Sequence, residues 1–249
     1  MTDKGQRLAR RIARAGVCSR RAAEELIREG RVMVNGETVT TPAVNVTADD
    51  VVVVDGAPLP SPAPVRLWRY HKPCGLIVSE RDEKGRPTVF ERLPGDLGRV
   101  ISVGRLDLNS EGLLLLTNDG ALARRLELPA TGWTRRYRVR AFGCVTQDAL
   151  AALRDGLTID GVHYGKIVAK LDTAEGANVW MTFALKEGKN REIRRICEHL
   201  GLKVNRLIRT AYGPFQLGRL KRGALAEVSP RQLREQLGAI WRDIGGGRG

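Results

Sequence analysis

The chain holds 249 residues, 42% of them hydrophobic, which suits one large domain or a small and a medium one. Its 42 Lys and Arg outnumber 28 Asp and Glu, giving a formal net charge of +14 that points to an anionic partner, most often nucleic acid. Apolar runs such as Gly112–Leu116 fall far short of the roughly 20 residues of a membrane span, and the four cysteines (Cys18, Cys74, Cys144, Cys197) form no C-x-x-C pair. A cytoplasmic protein with reduced thiols and neither zinc site nor disulfide framework is expected; the basic amino terminus lacks an apolar stretch of signal-peptide length.

In the first 60 residues, Leu8, Ile12 and Ala15 recur at helical spacing and stop at Gly16. A second helix is expected from Ser19 as cap through "RRAAEELIRE" to Gly30. "GRVMVNGETVT" reads as a hairpin turning at Asn35-Gly36, and "DDVVVVDG" adds a short strand. Residues 1–31 hold nine Lys and Arg against four acids, while residues 32–64 hold only acids, so one face is basic. Arg20 and Arg21 at a helix start, where free amides already favour an anion, suit a phosphate better than a merely solvated face does.

This segment resembles the small RNA-binding domain first described in ribosomal protein S-four, through "RLARRIARAGVCSRRAAEELIREGRVMVNG". The resemblance implies that Arg10, Arg14, Arg20, Arg21 and Arg31 grip structured RNA. An RNA-binding domain over 1–56 is expected, then a stiff linker over 57–65, where Pro58, Pro60, Pro62 and Pro64 alternate.

From residue 66 to 241 strand-like and helical stretches follow. "LWRYHKP" and "GLIVSE" read as strands, "VISVG" and "GLLLLTN" as another pair, and Asn118-Asp119-Gly120 as a turn into the helix "ALARRLEL". "RRYRVRAFG", "HYGKIVAKLD" and "ANVWMTFALKEG" are further strands, and "NREIRRICEHLG" is an amphipathic helix with Ile193, Ile196, Cys197 and Leu200 on one face. Strands arriving in runs favour an α+β fold with a mainly antiparallel sheet. Residues 242–249 are expected to form a disordered tail.

His71, His163 and His199 stand at no metal-ligand spacing, and neither a G-x-S-x-G elbow nor a phosphate loop occurs. Chemistry would fall to carboxylates, arginines, lysines or tyrosines. Three stretches are unusual. In "GRLDLNSEGLLLLTNDG", Asp107 sits two residues after Arg105 and ahead of four leucines, a costly place for a charge. In "RRYRV", Tyr137 stands among arginines, suited to stacking on a base beside phosphates. "KEGKNREIRR" crowds Lys186, Lys189, Arg191, Arg194 and Arg195 together. Singly, each could equally be a turn acid, a half-buried strand residue and a solvated helix start.

Together with "YHKPCGLIVSERDEKGRPTVFERLP" and "RLIRTAYGPFQLGRL", these stretches resemble the RsuA/RluB-type ribosomal RNA pseudouridine synthases, closest to the RluB-like subgroup. Such enzymes turn a uridine's glycosidic nitrogen–carbon bond into a carbon–carbon bond. The resemblance implies that Asp107 is the nucleophile, that Arg105 accompanies it, that Tyr137 stacks on the target base and that Arg194 pairs with the aspartate. Lys189, Arg191 and Arg195 would bind RNA. Ser110 stands where threonine is common, and either Leu207 or Ile208 would supply an apolar contact to the base. An arginine near a buried carboxylate opposes the effect of burial by roughly 1–3 pKa units. The implied protein is a monomer acting without metal, nucleotide or other cofactor on ribosomal RNA or an assembly intermediate, with the large subunit favoured over the small. A non-catalytic RNA-binding or ribosome-assembly factor is the rival reading. A glycosidase would need a second acid, for which Glu111 is nearest but reads as a turn residue.

Overall fold

The computed structural model describes residues 5–80 and 82–244. After the two-residue β1 (Gln6–Arg7), helix α1 covers Leu8–Arg14 and α2 Arg20–Arg28, with the Ser19 hydroxyl accepting from the Ala22 amide at 3.1 Å as a helix cap. Strands β2 (Val32–Val34) and β3 (Glu37–Thr38) form the expected hairpin, with Asn35 at φ 52° and Gly36 at φ 87° in its turn. Strand β4 (Asn45–Val46) pairs with β1, while β5 (Val52–Val54) pairs with β2. Leu8, Ile12, Ala23, Ile27, Val32 and Val54 close a core of their own beneath the helices.

Two details depart from the proline-linker expectation. Ala57–Pro58 is strand β6, paired to Val53 and Val54 at a sheet edge, where a proline's missing N–H does no harm. The far end of the linker is held by Asn118, whose side chain donates to the Pro64 carbonyl and accepts from the Arg66 amide, both at 2.8 Å.

A nine-stranded sheet organises the rest. Strand β7 is Leu67–Lys72, β8 Ile101–Val103 and β9 Glu111–Thr117; helix α3 (Gly120–Glu127) follows, then β10 (Arg135–Phe142) and helix α4 (Gln147–Ala151). A hairpin of β11 (Leu157–Ile159) and β12 (Val162–Tyr164) stands apart. Next come β13 (Ile167–Glu175), β14 (Asn178–Leu185), helix α5 (Glu192–His199), β15 (Lys203–Tyr212), β16 (Phe215–Gln216) and β17 (Leu225–Glu227). Helices α6 (Pro230–Leu237) and α7 (Ala239–Asp243) end the described chain. The main path runs β13-β14-β10-β15-β9-β7-β17, with β16 on β15 and β8 on β9. Among the described residues every strand pairing of this sheet is antiparallel except β9 with β15, which suits an α+β fold.

Strand β9 explains the four leucines. Leu114 and Leu116 enter a core with Tyr137, Val139 and Ile196, while Leu113 and Leu115 enter a second core with Leu122, Leu126 and Leu233. A strand covered on both faces reads as a continuous apolar run rather than an alternation. Gly112 makes the parallel crossing possible: at φ +108°, an added Cβ would lie 2.3 Å from the Arg209 carbonyl oxygen.

Three expectations need correction. "GLIVSE" is no strand; Ile77 alone pairs, in a bridge with Thr88. Glu111 is no turn residue: it is 2% exposed at the head of β9 and ion-paired to Arg206 and Arg222. The tail expected from residue 242 begins inside α7, which runs to Asp243; residues 245–249 lie outside those described.

Candidate active site

Residues 104–110 form the loop between β8 and β9, pinned through its backbone. The Gly104 amide donates to the Glu127 carboxylate at 2.7 Å. The Arg105 carbonyl accepts from Arg209 at 3.4 Å, that of Asp107 from Lys72 Nζ at 3.1 Å, and that of Leu108 from the Gly75 amide at 2.9 Å. The Asn109 carbonyl accepts from Arg194 at 2.7 Å and that of Ser110 from Lys72 Nζ at 2.8 Å. The Ser110 amide closes a turn back to the Asp107 carbonyl at 3.0 Å. With carbonyls of one short loop held from β7, β15 and α5, the Asp107 side chain is presented from a rigid base.

That side chain opens on a cavity of about 530 Å³. Tyr137 and Arg105 line it with Asp107, together with Leu207 and Arg209 from β15 and Lys189, Arg191 and Ile193 around the start of α5. Tyr137 is 9% exposed, on the face of β10 that carries Val139 and Ala141 into the core, beside an irregularity in pairing with β15 between Arg136 and Tyr137. Leu207 packs in the same core as Tyr137, whereas Ile208 faces the opposite one, so the cavity receives Leu207. Arg135 ties down the far wall, donating to the carbonyls of Lys186 and Glu187 and, at 3.0 Å, to the Tyr212 hydroxyl.

The cations are arranged differently from expectation. Among the described residues no ion pair joins Asp107 to Arg105 or Arg194: Arg105 is an exposed member of the cavity wall, and Arg194 spends its Nη2 on the Asn109 carbonyl beneath the loop while its buried Nε has no partner. Burial lowers the pKa of Arg194, neighbouring Arg191 adds to this, and the Asp107 charge works the other way. Lys72 is fully buried, and desolvation brings its pKa down to about 8 against the opposing pull of Asp107. Arg191 enters α5 in the left-handed region at φ 51°. Lys189 is hydrogen-bonded to Glu187, and Arg195 faces a separate cleft with Asp160 and His199. Glu127 and Glu192, the other carboxylates on the wall, accept from the amides of Gly104 and Lys189; burial pushes the Glu192 carboxyl up.

Lys72 and Arg209 escaped the sequence reading, although both carry a legible signal. Lys72 falls in phase with Trp68 and Tyr70 on the inward face of β7, and Arg209 with Leu207 and Ala211 on β15. A cation at an inward strand position needs acceptors, and here both find carbonyls of the loop or its flanks.

In the small module Arg10, Arg14, Arg20 and Arg21 are exposed on α1 and α2. Arg31 differs: Asp55 accepts from it twice, at 2.6 and 2.8 Å, and Glu29 once at 3.1 Å, which raises its pKa and engages each of its three nitrogens within the module.

A sheet built this way, with a loop aspartate and a tyrosine lining one basic cavity, fits an RNA-modifying isomerase. The model for RNA pseudouridylate synthase matches residues 66–199, and the model for the S4 domain matches residues 6–52. The chain is similar to an uncharacterized RNA pseudouridine synthase of Rickettsia felis, 51% identical over 228 residues that cover 92% of this chain and 99% of that one. It is also similar to ribosomal large subunit pseudouridine synthase B of Yersinia pestis, 40% identical over 231 residues, 90% of this chain and 73% of that one. A solved pseudouridylate synthase superposes with a TM-score of 0.64 at 28% identity, covering 93% of this chain and 99% of the other. The chain belongs to the RNA pseudouridylate synthases, which are isomerases, and carries an S4 domain in front.

Proposed function

We propose that the protein isomerises a uridine of ribosomal RNA, in the large subunit, to pseudouridine, with Asp107 as nucleophile. The observation that carries this reading is the Asp107 carboxylate, free of ion pairs among the described residues and held by its backbone in the wall of a basic cavity that Tyr137 also lines. The relatedness to a protein named for the large ribosomal subunit supports the choice of RNA.

In this reading residues 1–56 bind RNA, residues 57–65 connect, and residues 66–241 catalyse. The target uridine leaves its stack, a cost of a few kcal/mol that stacking on Tyr137 and contact with Leu207 offset. The bond from N1 of the base to C1′ of the ribose breaks, the base turns, and C5 bonds to C1′ while C5 loses its proton and N1 gains one. Asp107 attacks the ribose or the ring, and the covalent or ion-paired state splits one hard step into two. Lys72, Arg194 and Arg209 supply positive potential around the anion, Lys72 and Arg194 without occupying the space a uridine needs. Glu111, buried and doubly ion-paired, cannot serve as the second acid of a glycosidase.

Release of tritium from C5-labelled uridine in large-subunit ribosomal RNA tests the reading. Wild type should release it and Asp107→Asn should not, while still binding the RNA. Equal release by the variant removes the nucleophile; no release by wild type on either subunit's RNA or on assembly intermediates favours the binding factor.

A further inference from the structure

A second cavity, of about 460 Å³, lies between the small module and the catalytic module and has no part in the chemistry above. Six arginines line it: Arg10, Arg14 and Arg20 from α1 and α2, Arg99 from the segment before β8, and Arg124 and Arg125 from α3. Among the described residues only two acids, Asp119 and Asp243, share the lining. The walls therefore come from elements far apart in sequence but agree in charge, a concentration of one sign that focuses anions into a cleft.

The acids reveal how the cleft is held. Asp119 caps α3, its Oδ1 accepting from the amides of Ala121 and Leu122 at 2.8 Å each, and its Oδ2 lies 3.6 Å from Arg14 Nε across the cleft. Arg125 pairs with Asp243, Arg99 with Glu80 and Arg20 with Glu24. Arg10 and Arg124, on opposite walls, have no carboxylate partner among the described residues. The cleft also borders the catalytic cavity: Ile101 faces the one and its neighbour Ser102 the other, and α3 gives Arg124 to the one and Glu127 to the other.

We propose that this cleft is a composite RNA-backbone site, in which arginines of both modules hold phosphates of one RNA segment and Asp119 occupies Arg14 until a phosphate displaces it. The inference rests on the RNA reading above and adds that the catalytic module's own α3 completes the site. It makes the S4 domain half of a grip rather than a separate tether, and it aligns the bound segment with the neighbouring cavity.

The test uses the full chain, a fluorescent stem-loop transcribed from large-subunit ribosomal RNA, and affinity measured against salt. Arg124→Gln should weaken binding several-fold and lower the magnitude of the salt slope by about 1, as one lost phosphate contact does. Arg231→Gln, an equal loss of charge on α6 outside the cleft, should change little. Asp119→Asn keeps the helix cap, since asparagine caps about as well, and should tighten binding a few-fold by freeing Arg14. Unchanged melting temperatures establish that the variants fold. If Arg124→Gln binds like wild type or like Arg231→Gln, or if Asp119→Asn does not tighten binding, the composite site is overturned. Tritium release by the wild type then still stands for the proposed function. If the wild type neither binds this RNA nor releases tritium from either subunit's RNA or from assembly intermediates, both readings fall.

Discussion

The buried ammonium of Lys72 donates to the main-chain carbonyl of Asp107 at 3.1 Å, so a strand residue 35 positions earlier in the chain supports the residue expected to react. Lys72 also donates to the carbonyls of Ser110 at 2.8 Å and Pro73 at 3.1 Å. Lys72→Met leaves these acceptors without their donor, at about 1–3 kcal/mol for each that stays dry, partly offset by removal of a desolvated charge. Urea unfolding should show a net loss of about 2–4 kcal/mol, and single-turnover tritium release should slow at least about tenfold. A variant as stable and as fast as wild type would refute the supporting role.

Lys72 also predicts opposite pH trends for turnover and stability. Its pKa is brought from the ordinary 10.5 to about 8 by burial, so between these values the unfolded chain binds more protons than the folded one. This group therefore makes stability rise with pH across that window. Turnover should instead fall with a midpoint near pH 8, because a neutral amine has fewer donors for the loop and no charge beside Asp107. An alkaline limb that stays above pH 10 would exclude Lys72 as its source.

Tyr137 should act through its ring. Tyr137→Phe keeps the stacking surface and should release tritium at a rate within a few-fold of wild type. Tyr137→Ala should lose about 1–3 kcal/mol of stacking, roughly ten- to a hundredfold in kcat/KM. Equal losses in the two variants would assign the work to the hydroxyl.

Gly112→Ala should be severely destabilising, by about 3 kcal/mol or more, since it adds a Cβ against the Arg209 backbone at a positive φ. Gly120→Ala provides the contrast: its Cβ would meet only Ile101 Cδ1 at 3.7 Å, and stability should be retained. Thermal melts of the pair decide.

Arg31 should behave as a structural residue. Arg31→Gln removes the paired contacts with Asp55 and should lower the melting temperature slightly while leaving RNA affinity and its salt slope unchanged. A lower slope would return Arg31 to the RNA-binding set.

Local rules made much of this legible. Ser19 capping α2, the Asn35-Gly36 turn and the apolar stripe of α5 all depend on residues within a few positions of one another, as does the outward placement of Arg10, Arg14, Arg20 and Arg21. The failures involve partners distant in sequence. "GLIVSE" has strand composition but pairs only through Ile77. Glu111 resembles a turn acid until Arg206 and Arg222 close on it from β15 and the loop beyond. Arg194 sits near Asp107 as the motif implies, yet its donor goes to Asn109.

The amino-acid sequence by itself determined most of the elements, the α+β class, the basic character and the family resemblance carried by Asp107 and Tyr137, because periodicity, turn chemistry and motif spacing are properties of short segments. Tertiary structure decided which cations surround Asp107, that Leu207 rather than Ile208 reaches the cavity, and that Arg124 shares a cleft with Arg10. Those outcomes depend on how β9 lies parallel to β15 and where the small module rests. Such placements bring together charges that are far apart in the chain, and no local pattern records which of them will meet.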